Sequence, residues 1–327
     1  MSDNMVKIEN LKGYYKGTFG IVYGVDDVSF EVDRGETVAI AGESGCGKST
    51  LAELITGTPM PLLHYEGGKV IVDGYNIYEI SKEVLRVEVK CKIMSYVPQA
   101  SMDSLNPVKR IRDFILDVMR ERLGKKPDKA GAFKLATEHF GNLGLDQTIF
   151  DRYPHELSGG MRQRTVIALS TLWNPNLLIV DEPTSALDVT SQKLLIEMLH
   201  DLKKRGIIKT ILFISHDIPT LRQLCERCII MYGGKIVEDG NMEKIINAPL
   251  HPYTRGLVSS IVSFNPDGTA ESELESIPGR PPDLREPPLG CRFHPRCPEM
   301  MPICEKKYPP FFEPSGKERP VSCWLYK

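Results

Sequence analysis

The sequence predicts an α/β protein with a smaller antiparallel β part at its start, and two patterns lead there. Three runs, TVAIAG at 37–42, NLLIVDEP at 176–183 and KTILFISHD at 209–217, are continuously apolar and end in polar groups, the pattern of strands buried on both faces of a parallel sheet. Residues 5–32 instead alternate apolar and polar, as in MVKIEN and DDVSFEV, which suits half-buried antiparallel strands. Ligands of parallel sheets bind at the C-terminal ends of the strands, where these runs carry their polar groups.

At 327 residues and 41% hydrophobic, the chain can bury a sizeable core in one large or two ordinary domains. Its formal net charge of -2 provides no basic field for nucleic acid or an anionic membrane surface. The opening MSDNMVKIEN has no apolar core segment and no run of about 18 apolar residues occurs, so neither a signal peptide nor a transmembrane helix is expected. In a reducing compartment, eight cysteines point to metal ligation or plain burial before disulfides. Cys46, Cys91, Cys225 and Cys228 stand among apolar neighbours and read as structural.

In chain order, the alternating strands lead into the first buried run. Hairpin turns follow at Asp73-Gly74 in GGKVIVDGYNI and at Gly233-Gly234 in CIIMYGGKIVEDG. Val108 to Phe140 places apolar residues at roughly helical spacing, so an inserted α-helical subdomain is expected at about 100–165. Beyond Leu250, SIPGRPPDLREPPLG holds too much proline for regular helix. A boundary near 248 therefore divides residues 1–248 from a small appended domain, 249–327.

The chemistry sits at the strand ends. GESGCGKST, Gly42 to Thr50, follows a buried strand and opens a helix, the context that the phosphate-loop pattern G-x-x-x-x-G-K-S/T requires. Gly42, Ser44, Gly45, Cys46 and Gly47 offer backbone amides to a phosphate chain, Lys48 reaches the terminal phosphates, and the Ser49 hydroxyl can ligate Mg2+ with Thr50 beside it. LLIVDEP delivers Asp181 to the Mg2+ side of such a site and Glu182 to orient or deprotonate the attacking water. In ELSGGMRQR, Ser158 with the Gly159 and Gly160 amides makes a second anion-binding helix start, with the helix expected from about Met161. His216 of SHD emerges at the same edge as the carboxylates, and Gln99 of YVPQ ends another strand, where its amide can bridge Mg2+ and water.

The ordered set GESGCGKST, YVPQ, LSGGM, LLIVDEP, SALD and SHD resembles the nucleotide-binding subunit of ATP-binding-cassette (ABC) transporters, over about residues 5–250. The resemblance implies a P-loop NTPase fold and two cassettes paired head to tail, each ATP lying between the phosphate loop of one and the signature loop of the other. Ser158 to Gly160 would then act on the partner's nucleotide. It further implies that Lys48, Ser49 and Thr50 hold phosphate and Mg2+, Gln99 links to the membrane subunit, Asp181 binds the metal, Glu182 is the catalytic base, His216 senses the γ-phosphate and Asp188 contacts the partner cassette. Counting back from the phosphate loop, Phe19 is favoured to stack on adenine, with Tyr15 and Tyr23 as alternatives. Met161 departs from the glutamine that many members carry, and methionine is common in the peptide-importer branch.

The tail points to that branch independently. NAPLHPYTRGLVSSI, IPGRPPDL and GCRFHPRCP resemble the C-terminal extension of oligopeptide and dipeptide importer ATPases, an extension shared with relatives that carry nickel or oligosaccharides. This implies a subunit at the cytoplasmic face of the membrane, working with a second, paralogous ATPase, two permeases and an extracytoplasmic binding protein. A soluble cassette ATPase acting on ribosomes or DNA is the competing class. Those relatives usually carry two cassettes or a long central coiled coil, and this chain has neither; nor does it resemble a DNA-binding motif.

Cys291, Cys297, Cys304 and Cys323 are separated by five, six and eighteen residues, unlike the short first gap usual in structural zinc sites. Pro295 and Pro298 keep the backbone irregular, as a ligand loop needs. Soft thiolates suit an iron–sulfur cluster or zinc, and reduced or disulfide-linked thiols remain open. The resemblance favours a 4Fe-4S cluster, which would supply folding energy that this segment's small core does not.

Overall fold

The computed structural model describes residues 4–90, 92–99, 101, 104–185, 187–260, 277–314 and 319–327; Cys91 lies outside them. β1 (Asn4–Gly17) and β2 (Gly20–Asp33) form a long antiparallel hairpin, and β3 (Thr37–Ala41) leads through the glycine loop into α1 (Lys48–Thr56). β4 (Leu63–Val72) and β5 (Tyr75–Asn76) turn at Asp73 and Gly74, both at positive φ (49° and 83°), the backbone that a tight two-residue hairpin demands. These strands make a four-stranded antiparallel sheet ordered β2-β1-β4-β5.

A short α2 (Lys82–Val84) precedes β6 (Met94–Val97). Between β6 and β7 (Leu177–Asp181) the described residues contain helices and no strand. α3 (Ile111–Leu123) buries Ile111, Ile115 and Met119 at four-residue steps, a single apolar stripe. The Asp113 carboxylate caps its start by accepting the Arg110 amide at 3.1 Å, and Gly124 stops it at φ 64°. α4 (Lys129–Asn142) starts at Asp128, whose side chain accepts the Ala130 and Gly131 amides. α5 (Gly159–Thr171) begins two residues before the Met161 start that the sequence suggests. The Ser158 hydroxyl, accepting the Met161 amide, draws both glycines into the first turn.

α6 (Val189–Lys204), β8 (Thr210–Ile214), α7 (Ile218–Arg222), β9 (Arg227–Tyr232), β10 (Lys235–Asn241), α8 (Met242–Asn247) and α9 (Pro252–Ser259) follow. The second sheet has the order β10-β9-β3-β8-β7-β6, parallel except for β10, which turns back on β9 through Gly233 and Gly234. Every residue of β3, β7 and β8 is buried, because successive side chains feed opposite cores. Ala39, Leu178, Val180, Ile211 and Phe213 join the core under α3 to α6. Val38, Ile40, Leu177, Ile179 and Leu212 join the one shared with α1 and the antiparallel sheet.

The edge strand β10 is covered by the tail. The Asp239 amide donates to the Pro320 carbonyl (3.1 Å) and the Ser322 amide to the Val237 carbonyl (2.8 Å). Glu238 is fully buried there; it accepts the Leu250 and His251 amides at 2.9 Å each and pairs with buried Arg319 at 3.4 Å. Replacing Arg319 by methionine leaves a buried carboxylate without its cation. The expected loss is about 3 kcal/mol, measured as a lower midpoint in urea unfolding.

Candidate active site

The phosphate loop starts where β3 ends, and its bends admit only glycine at two points. A Cβ on Gly42 (φ 150°) would lie 2.2 Å from the Met231 carbonyl oxygen, and one on Gly47 (φ 105°) 2.1 Å from that of Gly24. Gly47 caps α1 without a side chain, so the first amides of the helix remain available to an anion. Buried Lys48 reaches back under the loop, and its Nζ donates to the Gly42 (2.7 Å) and Glu43 (3.0 Å) carbonyls. Ser44, Gly45, Gly47, Lys48, Ser49 and Thr50 line a cleft of about 280 Å³. Cys46 faces inward, buried and with no disulfide.

Strand ends close the other side, with Gln99 and Glu182 also lining the cleft. Asp181 ends β7 fully buried; Oδ2 accepts the Tyr96 hydroxyl at 3.4 Å, while Oδ1 has no hydrogen-bond partner. Burial pushes the Asp181 carboxyl up to about 6, a rise opposed by the Ser49 hydroxyl and assisted by the Glu182 charge. A buried carboxylate oxygen without a donor, beside a serine hydroxyl, fits a hard cation such as Mg2+. Glu182 sits at φ 48°, in the left-handed region, a strain that a non-glycine residue bears at a cost of about 1–3 kcal/mol. Its amide is held by the Ile214 carbonyl (2.9 Å), while Oε1 and Oε2 lie 2.9 and 3.0 Å from His216 Nδ1 and Ser215 Oγ donates to Oε2 at 3.4 Å. The three strand ends thus bring Lys48, Asp181, Glu182 and His216 together.

Ser158, Gly159 and Gly160 stand apart from this cleft. Gly160 packs beside Ser191, whose amide and hydroxyl both donate to Asp188 at 2.9 Å, so the signature loop and Asp188 form one neighbourhood. Phe19, expected against adenine, instead lies half-exposed on the β1–β2 turn and does not line the cleft. Tyr15 does, with its hydroxyl 3.1 Å from Thr50 Oγ1, whereas Tyr23 packs edge-on against Tyr14.

The family model for ABC transporters matches residues 25–185, and that for the C-terminal region of oligopeptide/dipeptide transporters matches 237–304. A dipeptide transport ATP-binding protein of Caldanaerobacter subterraneus is 39% identical over 324 residues, covering 99% of this chain and 97% of its own. The chain belongs to the ABC transporter family. An oligopeptide transport ATP-binding protein of Bacillus subtilis is 37% identical over 98% of this chain and 88% of its own. Among solved structures, a dimeric bacterial ABC transporter cassette superposes with a TM-score of 0.63 at 27% identity, covering 73% of this chain and 99% of that one. A post-hydrolysis dimer bound to ADP and Pi superposes with a TM-score of 0.62 at 28% identity, with the same coverage. The cassette is therefore an ATPase coupled to transport, of a family whose ATPases in general bind ATP with Mg2+.

In the cassette's tail the four thiols are free and near one another. The Cys291 amide donates to the Cys304 carbonyl at 2.8 Å. Burial, reinforced by Cys304, Cys323 and Cys297, pushes the Cys291 thiol up to about 12, and burial pushes Cys323 up to about 11. Such thiols become thiolates only beside a cation. Among the described residues no three His, Cys, Asp or Glu side chains stand in ligating geometry, so the donor chemistry suits a soft metal while the spacing does not close a cage. Cys225 and Cys228 are buried in the core as expected. The sequence reading missed Tyr96 and, in the tail, Leu284, which lines the cleft.

Asp181 carries a pH signature. Its folded pKa of about 6 lies above the ordinary 3.8, so the stability contributed by its protonation is full below about pH 4 and lost as pH rises through about 6. Asp181→Asn should therefore stabilise the nucleotide-free protein at pH 7.5 by up to about 3 kcal/mol, with the gain vanishing near pH 4, while abolishing the extra thermal protection that Mg2+ gives with ATP. Melting curves across pH, with and without Mg2+ and ATP, check both.

Proposed function

We propose that this chain is the ATP-hydrolysing subunit of an importer that takes up dipeptides or oligopeptides, working at the cytoplasmic face of the membrane. One observation carries the chemistry: the phosphate loop after β3 meets a buried carboxylate with an unpartnered oxygen and a strained glutamate after β7, the glutamate bonded to His216 after the intervening β8. The substrate class rests on the full-length likeness to peptide transport ATP-binding proteins and on the C-terminal match; those relatives are named for peptides rather than for oligosaccharides or nickel. No helix among the described residues is long and apolar enough to cross a membrane; in this reading two separate permease subunits form the permeation path.

In this reading the loop amides and Lys48 hold the phosphate chain. Ser49, Asp181 and Gln99 would hold Mg2+, which when bound neutralises charge developing on the phosphates. Glu182 takes the proton of the attacking water, and His216, hydrogen-bonded to it, fixes the carboxylate's direction and faces the γ-phosphate. A second cassette, a paralogue by this reading, would lay its Ser158–Gly160 counterpart over this nucleotide, with Asp188 at the contact. The helices between β6 and β7 act as the helical subdomain that moves two permeases, and an extracytoplasmic protein delivers the peptide. Of the three aromatic candidates, Tyr15 lines the cleft, which supports it over Phe19 and Tyr23 as the residue that meets the base.

Glu182→Gln keeps the site's shape and removes its base. It should bind ATP as the parent does, lose at least about a hundredfold in turnover, and in ATP co-purify with two permeases and a second ATPase. Undiminished hydrolysis, or ribosomes in their place, would refute this assignment.

The same proposal extends to the tail, where Cys291, Cys297, Cys304 and Cys323 would hold a 4Fe-4S cluster, with zinc as the alternative. The electrostatic coupling of Cys291 to Cys297, Cys304 and Cys323, which places the four thiols near one another, supports it. Protein purified without oxygen should contain about four iron and four sulfide per chain and absorb visible light; colourless, iron-free protein would sink it.

A further inference from the structure

The phosphate loop is fastened from far along the chain. Glu43, the residue after Gly42, receives both terminal nitrogens of Arg296 on its two carboxylate oxygens, at 2.7 and 3.0 Å, across 253 residues of sequence. The Glu43 amide donates to the Tyr253 hydroxyl at 2.8 Å. Arg296 is itself buried and held: Nε donates to the Pro278 carbonyl (2.7 Å), Nη2 to that of Ile277 (3.3 Å), and Nη1 to the Tyr232 hydroxyl (3.3 Å).

The same stretch of tail reaches the cleft. The Leu284 carbonyl accepts the Tyr23 amide at 2.9 Å and its residue lines the nucleotide cleft, while Pro281 and Pro282 lie against Glu43 to Cys46. Buried Arg292 binds the Gly233 carbonyl and the Asp26 carboxylate, fixing the segment to the β9–β10 turn and to β2.

A carboxylate inside an anion-binding loop is electrostatically misplaced. Unpaired, Glu43 would repel the phosphates that the loop amides and Lys48 attract, and in a water-poor site that repulsion is strong. A two-pronged guanidinium pair cancels the charge and also sets the direction of the side chain. Loop amides must be oriented before the phosphates arrive if they are to stabilise them.

We propose that tail residues 277–297 are part of the nucleotide site, with Arg296 acting as a positioning residue that neutralises Glu43 and holds the phosphate loop for ATP, and Leu284 forming a wall of the cleft. This rests on the reading of the cleft as the ATP site. ATP affinity is then set partly by a segment that lies outside the ATPase motifs, on the stretch that also carries Cys291 and Cys297.

The test uses the full chain, measuring fluorescent-ATP affinity, the KM and kcat of hydrolysis, and melting temperature. Arg296→Met should weaken ATP binding at least about tenfold, with KM rising more than kcat falls. Arg296→Lys should recover part of the loss, and Glu43→Gln combined with Arg296→Met should recover most, because the repelling charge is gone. Leu284→Ala trims a buried side chain and so is assayed well below its own melting temperature; there KM should rise several-fold, which keeps the proposal testable if Arg296→Met does not fold. Unchanged affinity in folded Arg296→Met, no rescue by Glu43→Gln, or an unaltered KM in Leu284→Ala would each overturn it. Parent protein that binds no ATP, or binding that survives Lys48→Ala, would instead overturn the ATP site itself.

Discussion

Each central strand of the larger sheet is claimed by two cores at once, and the rest of the molecule depends on that constraint. Along β3, β7, β8 and β9 one side chain enters the helical core and the next enters the core shared with α1 and the antiparallel sheet. A slip by one residue would exchange every side chain between faces, so register is fixed. With register fixed, Ile40 and Asp181 both pair with Ile214, and the phosphate loop, the carboxylates and His216 leave the sheet at one level. Placement of the catalytic groups is thus a consequence of hydrophobic packing several residues away.

On that frame the site balances charges that would not otherwise coexist. Amides and Lys48 draw an anion inward, while Asp181, Glu182 and Glu43 bring negative charge to the same place. The three are handled differently. Asp181 is buried with an oxygen facing no donor, which a divalent cation can complete. Glu182 accepts a strained backbone and a histidine neighbour, and so points into the cleft. Glu43 is paired with an arginine from far along the chain.

How legible this was in the sequence follows from the range of each interaction. The buried strands, both hairpins and the phosphate loop rest on local patterns, and all are found where TVAIAG, LLIVDEP, TILFI and the Asp73-Gly74 and Gly233-Gly234 turns indicated. Two glycines hid the true start of α5, because the serine cap before them outweighs their poor helix propensity. Counting back from the loop does not reveal how far the β1–β2 hairpin extends before it turns, and Phe19 falls on that turn rather than in the cleft. Arg296 and Leu284 carried no signal, since nothing in a proline-rich tail marks a partner 253 residues upstream. The spacing of Cys291, Cys297, Cys304 and Cys323 departs from the structural zinc pattern and says nothing of the angles at which the thiols stand.

Because the chain is made from its N-terminus, the tail that covers β10 arrives last. Until Pro320 and Ser322 have been made, the Val237 carbonyl and the Asp239 amide face outward on an open strand, and such an edge is a template for pairing with other chains. A nascent chain that has already completed its six-stranded sheet must wait for this distant segment before the edge is sealed. Between those moments it resembles a zip fastener without its end stop, and quality-control factors that bind exposed strands would have their longest opportunity there.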